Sequence, residues 1–388
     1  MSGSRLRVAW LGHKSATLGG GMATYSREIT AGLRRKGLQV TFFHHGDWTG
    51  QPRDGASADE ESVPLDSISL VKTVILSTPR AKRKLADRLR RHEFDVVHAS
   101  FWFSSLDFDL PKLCRELGIP FVATFHVAFD RRRNVVAQVF SAAYRLYAPA
   151  LKQCDRVIVF GAGQRDVLLK LGVPAQTLLT IPNGVDVEKY SPGPSDRKRR
   201  LGAERLFLFM GRIDAEKNVD VLLEAFLHTD PPASTKLLIM GSGTERRRLE
   251  RIYRDKRVLF TGHIAEESER IAILRAADAF FLPSSVEGLS LSMLEAMSCG
   301  VATVATDVGS DGEALSGAGI VIDPSKLAVE LEMAIRQLLD LPFLIPELGR
   351  LARQRVLERF SLDRNLDALI AVYEELVTSR RTATPVRS

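Results

Sequence analysis

Short apolar runs alternate with amphipathic stretches along most of this chain, and the rhythm starts twice. Residues 5–12 (RLRVAWLG) predict a buried strand ending in a glycine turn. Residues 19–37 (GGGMATYSREITAGLRRKG) predict a helix entered through a glycine loop and stopped at Gly37. Strands are predicted again at 38–44, 95–100 (DVVHAS), 120–126 (PFVATFH) and 156–161 (RVIVFG), with a helix at 110–118. After residue 190 the pattern restarts, with strands at 205–212, 236–243, 258–263, 279–285 and 301–307 and helices at 219–228 and 245–253. Residues 189–202 (KYSPGPSDRKRRLG) predict a linker or exposed loop. Residues 362–377 read as one amphipathic helix and 379–388 as a frayed tail. Strands alternating with helices imply parallel sheets in doubly wound α/β domains, whose ligands bind beyond the carboxyl ends of the strands.

Composition changes this picture little. At 388 residues the chain is too long for one ordinary core, and 45% hydrophobic with 26% charged residues is the balance of a soluble globular protein. No apolar run approaches ~18 residues, so no membrane-spanning helix is expected. The first residues lack the apolar stretch of a signal peptide. Cys114, Cys154 and Cys299 are far apart and form no CxxC pair, which argues against a zinc site or disulfide framework and fits a reducing compartment.

Charge adds more. The net charge is +7, but residues 1–190 carry 27 Lys and Arg against 18 Asp and Glu, while the remainder is slightly acidic. An anionic partner for the first half follows, either nucleic acid or a membrane surface. No basic–aromatic RNA motif or zinc module is present, so nucleic acid is not expected. Residues 78–94 hold Arg80, Lys82, Arg83 and Lys84, with Ala81, Leu85 and Leu89 recurring every four positions, after an apolar run at 70–76. Residues 130–149 join Arg131, Arg132 and Arg133 to an apolar helical pattern. Both stretches predict basic amphipathic helices lying on an anionic membrane; the plainer alternative is a solvated helix face.

Candidate chemistry centres on two glutamates, Glu287 and Glu295, in SVEGLSLSMLEAM. Were the intervening residues helical, their Cα atoms would stand ~12 Å apart along the axis. A hydrolase dyad needs its carboxyl groups within about 5–9.5 Å. The spacing suits an extended ligand instead, with helix N–H groups near Gly288–Leu291 free for an anion. The alternative has Glu287 capping the helix and Glu295 facing solvent. Arg212 and Lys217 in GRIDAEKN lie just past a strand, where a fork and a point charge can hold a diphosphate. LGGGMATY and GSGTER are glycine turns that match neither a dinucleotide fingerprint nor a Walker loop. His126 and His98 end strands; either could equally be a hydrogen-bonded structural residue.

Taken in order, LGGGMATYSREI, DVVHAS, TFH, IPNGVDVEKYSP, GRIDAEKN, LLIMGSGTERRRLE and SSVEGLSLSMLEAMSCGVATVAT resemble the GT-B glycosyltransferases of family 4, over roughly residues 5–375. The resemblance implies two Rossmann-like domains facing a cleft. The acceptor-side domain would be 1–188 and the nucleotide-sugar domain 189–360, with a helix at 361–378 packing back on the first. It implies an enzyme that moves a hexose from a nucleotide sugar with retention, without metal or resident cofactor. No Asp-x-Asp motif of the metal-dependent class accompanies these motifs. Arg212 and Lys217 would bind the diphosphate and Glu295 the ribose. Glu287 with Gly288, Leu289, Ser290 and Leu291 would hold the sugar and nearby phosphate. Gly20 and Gly21 would lie against the β-phosphate, Ile264 by the base, and His126 near the sugar. One departure is DVGSDGE (307–313), where many members carry paired glycines. VVHASFWFSSLDFDLP, VATFHVAFD and EGLSLSMLEAMSCG further resemble the cyanobacterial-type digalactosyldiacylglycerol synthases. That narrower likeness implies UDP-galactose as donor, monogalactosyldiacylglycerol as acceptor and a peripheral place on the cytoplasmic face of a membrane. Other family 4 polysaccharide or glycoconjugate synthesis, and a non-catalytic sugar-nucleotide-binding or RNA-binding protein, are the competing expectations.

Overall fold

The computed structural model of the chain describes residues 5–13, 16–46, 62–70, 74–91, 93–129 and 135–383. The chain divides into two compact units. One comprises Met1–Val127, Arg133–Pro182 and Asn365–Ser388; the other comprises Ala128–Arg132 and Asn183–Arg364.

Each unit is built on one sheet. The first holds β1 (Arg7–Gly12), β2 (Gln39–Gly46), β3 (Ser62–Leu70), β4 (Val74–Ser77), β5 (Val96–Phe101), β6 (Phe121–Phe125), β7 (Arg156–Val159) and β8 (Leu178–Thr180), in the order β4-β3-β2-β1-β5-β6-β7-β8. All pairs are parallel except β3 with β4. The second holds β9 (Arg205–Met210), β10 (Thr235–Met240), β11 (Val258–Gly262), β12 (Ala279–Leu282), β13 (Ala302–Thr306) and β14 (Ile320–Ile322), in the order β11-β10-β9-β12-β13-β14, all parallel. Helices cover such sheets on both faces, so the strands read as near-continuous apolar runs. Every residue of β5, β6, β12 and β13 is buried. The order reverses between β1 and β5 in one sheet and between β9 and β12 in the other, and those crevices are where open α/β sheets bind ligands.

Several expectations need correction. The glycine triplet does not precede its helix: the helix runs Ala16–Arg35, so Gly20 and Gly21 lie inside it. A Cβ at Gly21 would meet nothing within 4 Å, so the position is open. Residues 189–202 are no linker. Ser195 Oγ donates to the Ala272 carbonyl at 2.6 Å, and Arg197 and Lys198 pair with Glu269 and Asp278, all within the second unit. The expected boundary at 188/189 falls instead at 182/183, because Val185 N donates to the Phe360 carbonyl and Leu362 N to the Val185 carbonyl. Helix Leu362–Ala383 then runs on past the expected tail boundary at 378. Its Tyr373 hydroxyl lies 2.5 Å from His98 Nδ1, and Lys36 and Arg156 pair with Asp367 and Glu375.

The helix Pro79–Arg90 contradicts the membrane reading in one respect. Its apolar stripe, Ala81, Leu85, Ala86 and Leu89, is buried in the protein and cannot enter a bilayer. Arg80, Arg83 and Lys84 face outward, while Lys82 pairs with Asp109. Arg131, Arg132 and Arg133 lie outside the described residues.

Candidate active site

Three loops at the carboxyl end of the second sheet are tied together. Those after β9 and β10 interlock first: Ile213 N donates to the Ser242 carbonyl at 2.9 Å and Glu245 N to the Ile213 carbonyl at 2.9 Å. A Cβ on Gly243 would fall 2.2 Å from the Ile213 carbonyl oxygen, and one on Gly241, at φ +146°, 1.8 Å from that of Gly211. The glycines of GSGTER thus allow one loop to lie on another. On the other side, Ser285 N donates to the Glu216 carbonyl at 2.7 Å, and Asn218 Nδ2 to the Pro283 carbonyl at 2.8 Å. The loops after β9 and β12 flank the point where strand order reverses.

Lys217 and Glu287 meet there. Lys217 Nζ bonds Glu287 Oε1, with the side chains only 12% and 13% exposed, and Ser284 Oγ donates to the same oxygen at 2.7 Å. Arg212 is 60% exposed and held by acids of its own loop, Asp214 at 2.5 Å and Glu216 at 2.8 Å. The structure therefore brings Lys217 and Glu287 together and leaves Arg212 at the rim. A surface pair of that kind is worth about 0–1 kcal/mol, so Arg212 can exchange its partners readily.

Glu287 does not cap the helix Leu291–Ser298, as the plainer reading had it. Ser290 does, its Oγ accepting from Met293 N at 3.4 Å. Ser290 N is also engaged, donating to Asp311 Oδ1 at 2.8 Å. The N–H groups expected to be free for an anion are thus partly satisfied from within. Around the same turn, Ser310 N donates to the Gly288 carbonyl at 2.7 Å, and buried Asn183 donates Nδ2 to the Leu289 carbonyl at 2.7 Å. Glu295 is half-buried one turn along the helix, and its charge, after burial, helps push the Tyr190 phenol up. The two glutamates stand in separate surroundings, which is not the layout of a hydrolase dyad. Ile264 is half-buried, its carbonyl accepting from Arg270 Nη1 at 3.1 Å.

Asp311, Asn183 and Ser284 were missed by sequence reasoning. Asp311 lies in DVGSDGE, whose departure from the family pattern was the available signal. Asn183 and Ser284 lie within IPNGVDVEKYSP and SSVEGLSLSMLEAM, motifs that carried the family resemblance without singling these residues out.

In the first unit, His126 follows β6 and is buried, with Nε2 lacking a hydrogen-bond partner. Its ring lies 4.8 Å from that of Tyr25. Burial, then the nearby His13, push it down to about 3. His13 follows β1 and His45 lies in β2, their rings 5.9 Å apart. His98 is structural: Nε2 lies 2.8 Å from Thr124 Oγ1 while Nδ1 meets Tyr373.

One Asp-x-Asp triplet does occur, at Asp107–Asp109, and the expectation of none is corrected. Asp107 is buried, its Oδ2 accepting from Tyr147 Oη, Trp102 N and Ser104 N, whereas Asp109 is exposed and paired with Lys82. The two carboxylates serve different partners. Among the described residues, no three His, Cys, Asp or Glu are grouped to hold a metal ion.

Residues 204–341 match the family described as glycosyl transferases group 1, and residues 19–189 match glycosyltransferase family 4. The glycogen synthase of Mycobacterium tuberculosis is 30% identical over 330 residues, covering 82% of this chain and 77% of that protein. The D-inositol 3-phosphate glycosyltransferase of Acidothermus cellulolyticus is 27% identical over 413 residues, covering 95% and 88%. Among solved structures, Anabaena HepE in complex with UDP-glucose superposes with a TM-score of 0.73 at 16% identity, over 96% of this chain and all of that one.

Proposed function

The chain belongs to the family 4 glycosyltransferases, and from that premise we propose that it moves a hexose from a nucleoside-diphosphate sugar onto a polysaccharide or other glycoconjugate hydroxyl. The observation that carries the donor site is the Lys217–Glu287 pair, largely buried at the strand-order reversal of the second sheet. An ammonium has three N–H donors, so Lys217 can keep Glu287 and still offer N–H groups to a diphosphate. Arg212 adds a second cation once it releases Asp214 and Glu216. Both would stabilise charge as it gathers on the leaving diphosphate, in a site whose loops are already fixed. In the retaining course proposed here, the acceptor oxygen bonds the anomeric carbon as the bond to the leaving phosphate breaks. The acceptor's proton passes to that phosphate on the same face. Neither a protein nucleophile nor a metal is required.

The acceptor is broad in this reading, because relatives of similar identity are named for glycogen and for inositol phosphate. A second reading keeps the galactolipid: UDP-galactose as donor and monogalactosyldiacylglycerol as acceptor, at the cytoplasmic face of an anionic membrane. Its support is the outward basic face of helix Pro79–Arg90 beside the exposed Ile68–Leu76 cross-strand pair.

Incubation with UDP-glucose, UDP-galactose and GDP-mannose, against maltooligosaccharides, inositol phosphate and total lipid, followed by mass spectrometry, tests both readings. A glycosylated product from one donor is expected. Digalactosyl lipid alone would favour the second reading. Donor binding without product or donor hydrolysis would leave a non-catalytic sugar-nucleotide-binding role.

A further inference from the structure

The transfer chemistry leaves Asp311 without a role, yet its placement is unusual. It is wholly buried, at 0% exposure, where the loop after β13 meets the loop after β12. Oδ1 takes the Ser290 N–H at 2.8 Å, while Oδ2 is buried with no hydrogen-bond partner. The two loops are pressed together. Gly309 adopts φ +57°, and a Cβ there would lie 2.2 Å from the Glu287 carbonyl oxygen.

The charged groups around it decide its state. Lys217 and Glu287, from the loops after β9 and β12, act on it electrostatically. Asp307 precedes it in its own loop and Glu313 follows it in its own short helix. Arg355, from helix Leu344–Arg359, is committed to the Ala314 carbonyl at 3.2 Å. Lys217 and Glu287 already neutralise one another. An ionised Asp311 would bury one further negative charge beside them, where the donor's diphosphate must approach. Burial, and then the charge of Glu287, push this carboxyl well above the usual carboxylate range; the Ser290 N–H and Lys217 oppose that more weakly.

We propose that Asp311 is a positioning residue of the donor site: as a neutral carboxylic acid it pins the Ser290 N–H, and with it the Glu287–Ser290 turn, and on ionising it weakens nucleotide-sugar binding. The proposal rests on the donor site placed at Lys217. Its consequence is that this chain's donor affinity falls with rising pH, through a group within the fold rather than on the ligand.

The test titrates UDP-glucose, UDP-galactose and GDP-mannose into wild type and D311N by calorimetry from about pH 6 to about pH 9. The dissociation constant of the donor that binds wild type should rise with pH once the carboxyl ionises, by about tenfold for each pKa unit that donor binding shifts it. D311N can still accept from Ser290 N but cannot ionise; it should lose the pH dependence and bind more tightly than wild type at the alkaline end. D311A, lacking the acceptor, should show a raised donor KM at every pH. Difference infrared spectra of the ligand-free proteins add a readout without donor: a carboxylic-acid C=O band near neutral pH in wild type that D311N lacks. A flat wild-type profile, a D311N profile that keeps the wild-type slope, or the missing acid band would each overturn the proposal. Failure of wild type to bind any nucleotide sugar would instead strike the donor-site reading, and the infrared result would still decide the state of Asp311.

Discussion

Lys217 and Arg212 have different duties despite one sign of charge. Lys217 is nearly buried and holds Glu287, beside buried Asp311. Removing the cation leaves Glu287 uncompensated, and breaking a buried pair from one side costs about 3–5 kcal/mol. Lys217→Ala should therefore lower the urea midpoint clearly as well as turnover. Arg212→Ala should leave the midpoint nearly unchanged and lower kcat by about 10², the order seen when a group that stabilises the transition state is lost. Equal stability of the two variants would contradict the burial argument. In the mechanism proposed above these cations do the work a metal would do on the diphosphate, so activity should persist in EDTA; complete loss restored by Mg²⁺ would overturn that assignment. Arg212, Lys217 and Glu287 stood out in the sequence as charge just past a strand, and the structure brings the last two together. Asp311 did not, since a single Asp in a Gly–Ser turn reads as a turn residue. Only the approach of two loops distant in sequence reveals that it is buried.

At the scale of elements, the strands were legible wherever burial on both faces makes them apolar. β3 and β4 were not: they form the antiparallel edge of the first sheet, and in Ser62–Leu70 the strand alternation is broken by Pro64 and by the adjacent Asp66 and Ser67. The basic helix was legible as a helix but misjudged in its facing. Periodicity finds an apolar stripe and cannot say whether protein or lipid covers it. Leu85 is fully buried, so Leu85→Ala should destabilise by about 2–5 kcal/mol, read by thermal unfolding. Among the described residues, a membrane contact through this helix would use what lies outside it: Ile68 and Leu76, 50% and 40% exposed and directly paired, with Arg80, Arg83 and Lys84. Lys84 links the two elements by donating Nζ to the Pro64 carbonyl at 3.1 Å. Binding to phosphatidylglycerol vesicles should weaken with salt. It should fall with the double change Arg83→Glu and Lys84→Glu, and with Ile68→Ser and Leu76→Ser, in sedimentation assays. Vesicle binding untouched by both double variants would remove this surface from consideration.

Across the whole molecule, titratable burial is divided unevenly between the units. His13, His45, His98 and His126 all belong to the first, and burial holds each of them down, to about 4 for His13 and about 3 for the others. His45 and His126 are lowered further by the charge that His13 would carry, and His98 by that of His126. In the unfolded chain these groups titrate near 6.5. Their contribution is thus fully present above about pH 6.5 and is lost as pH falls toward about 4 for His13 and about 3 for the others, because the unfolded state takes up protons that the folded state refuses. Each such group adds up to about 1.4 kcal/mol per pH unit, so four approach a typical domain's entire stability within one or two units. Helix Leu362–Ala383 shares this liability, since Tyr373 docks on His98. None of the chain's three tryptophans falls in the second unit, and Trp10 and Trp102 belong to the first, so a change in their emission reports the first unit. Acidification from about pH 7 to about pH 4.5 should red-shift the emission while hydrogen exchange in β9, β12 and β13 stays protected. His13→Asn, which removes both its own proton uptake and its pressure on His45 and His126, should move that transition to lower pH. Loss of protection in the second unit first, or an acid midpoint that His13→Asn leaves in place, would show that these histidines do not set the limit.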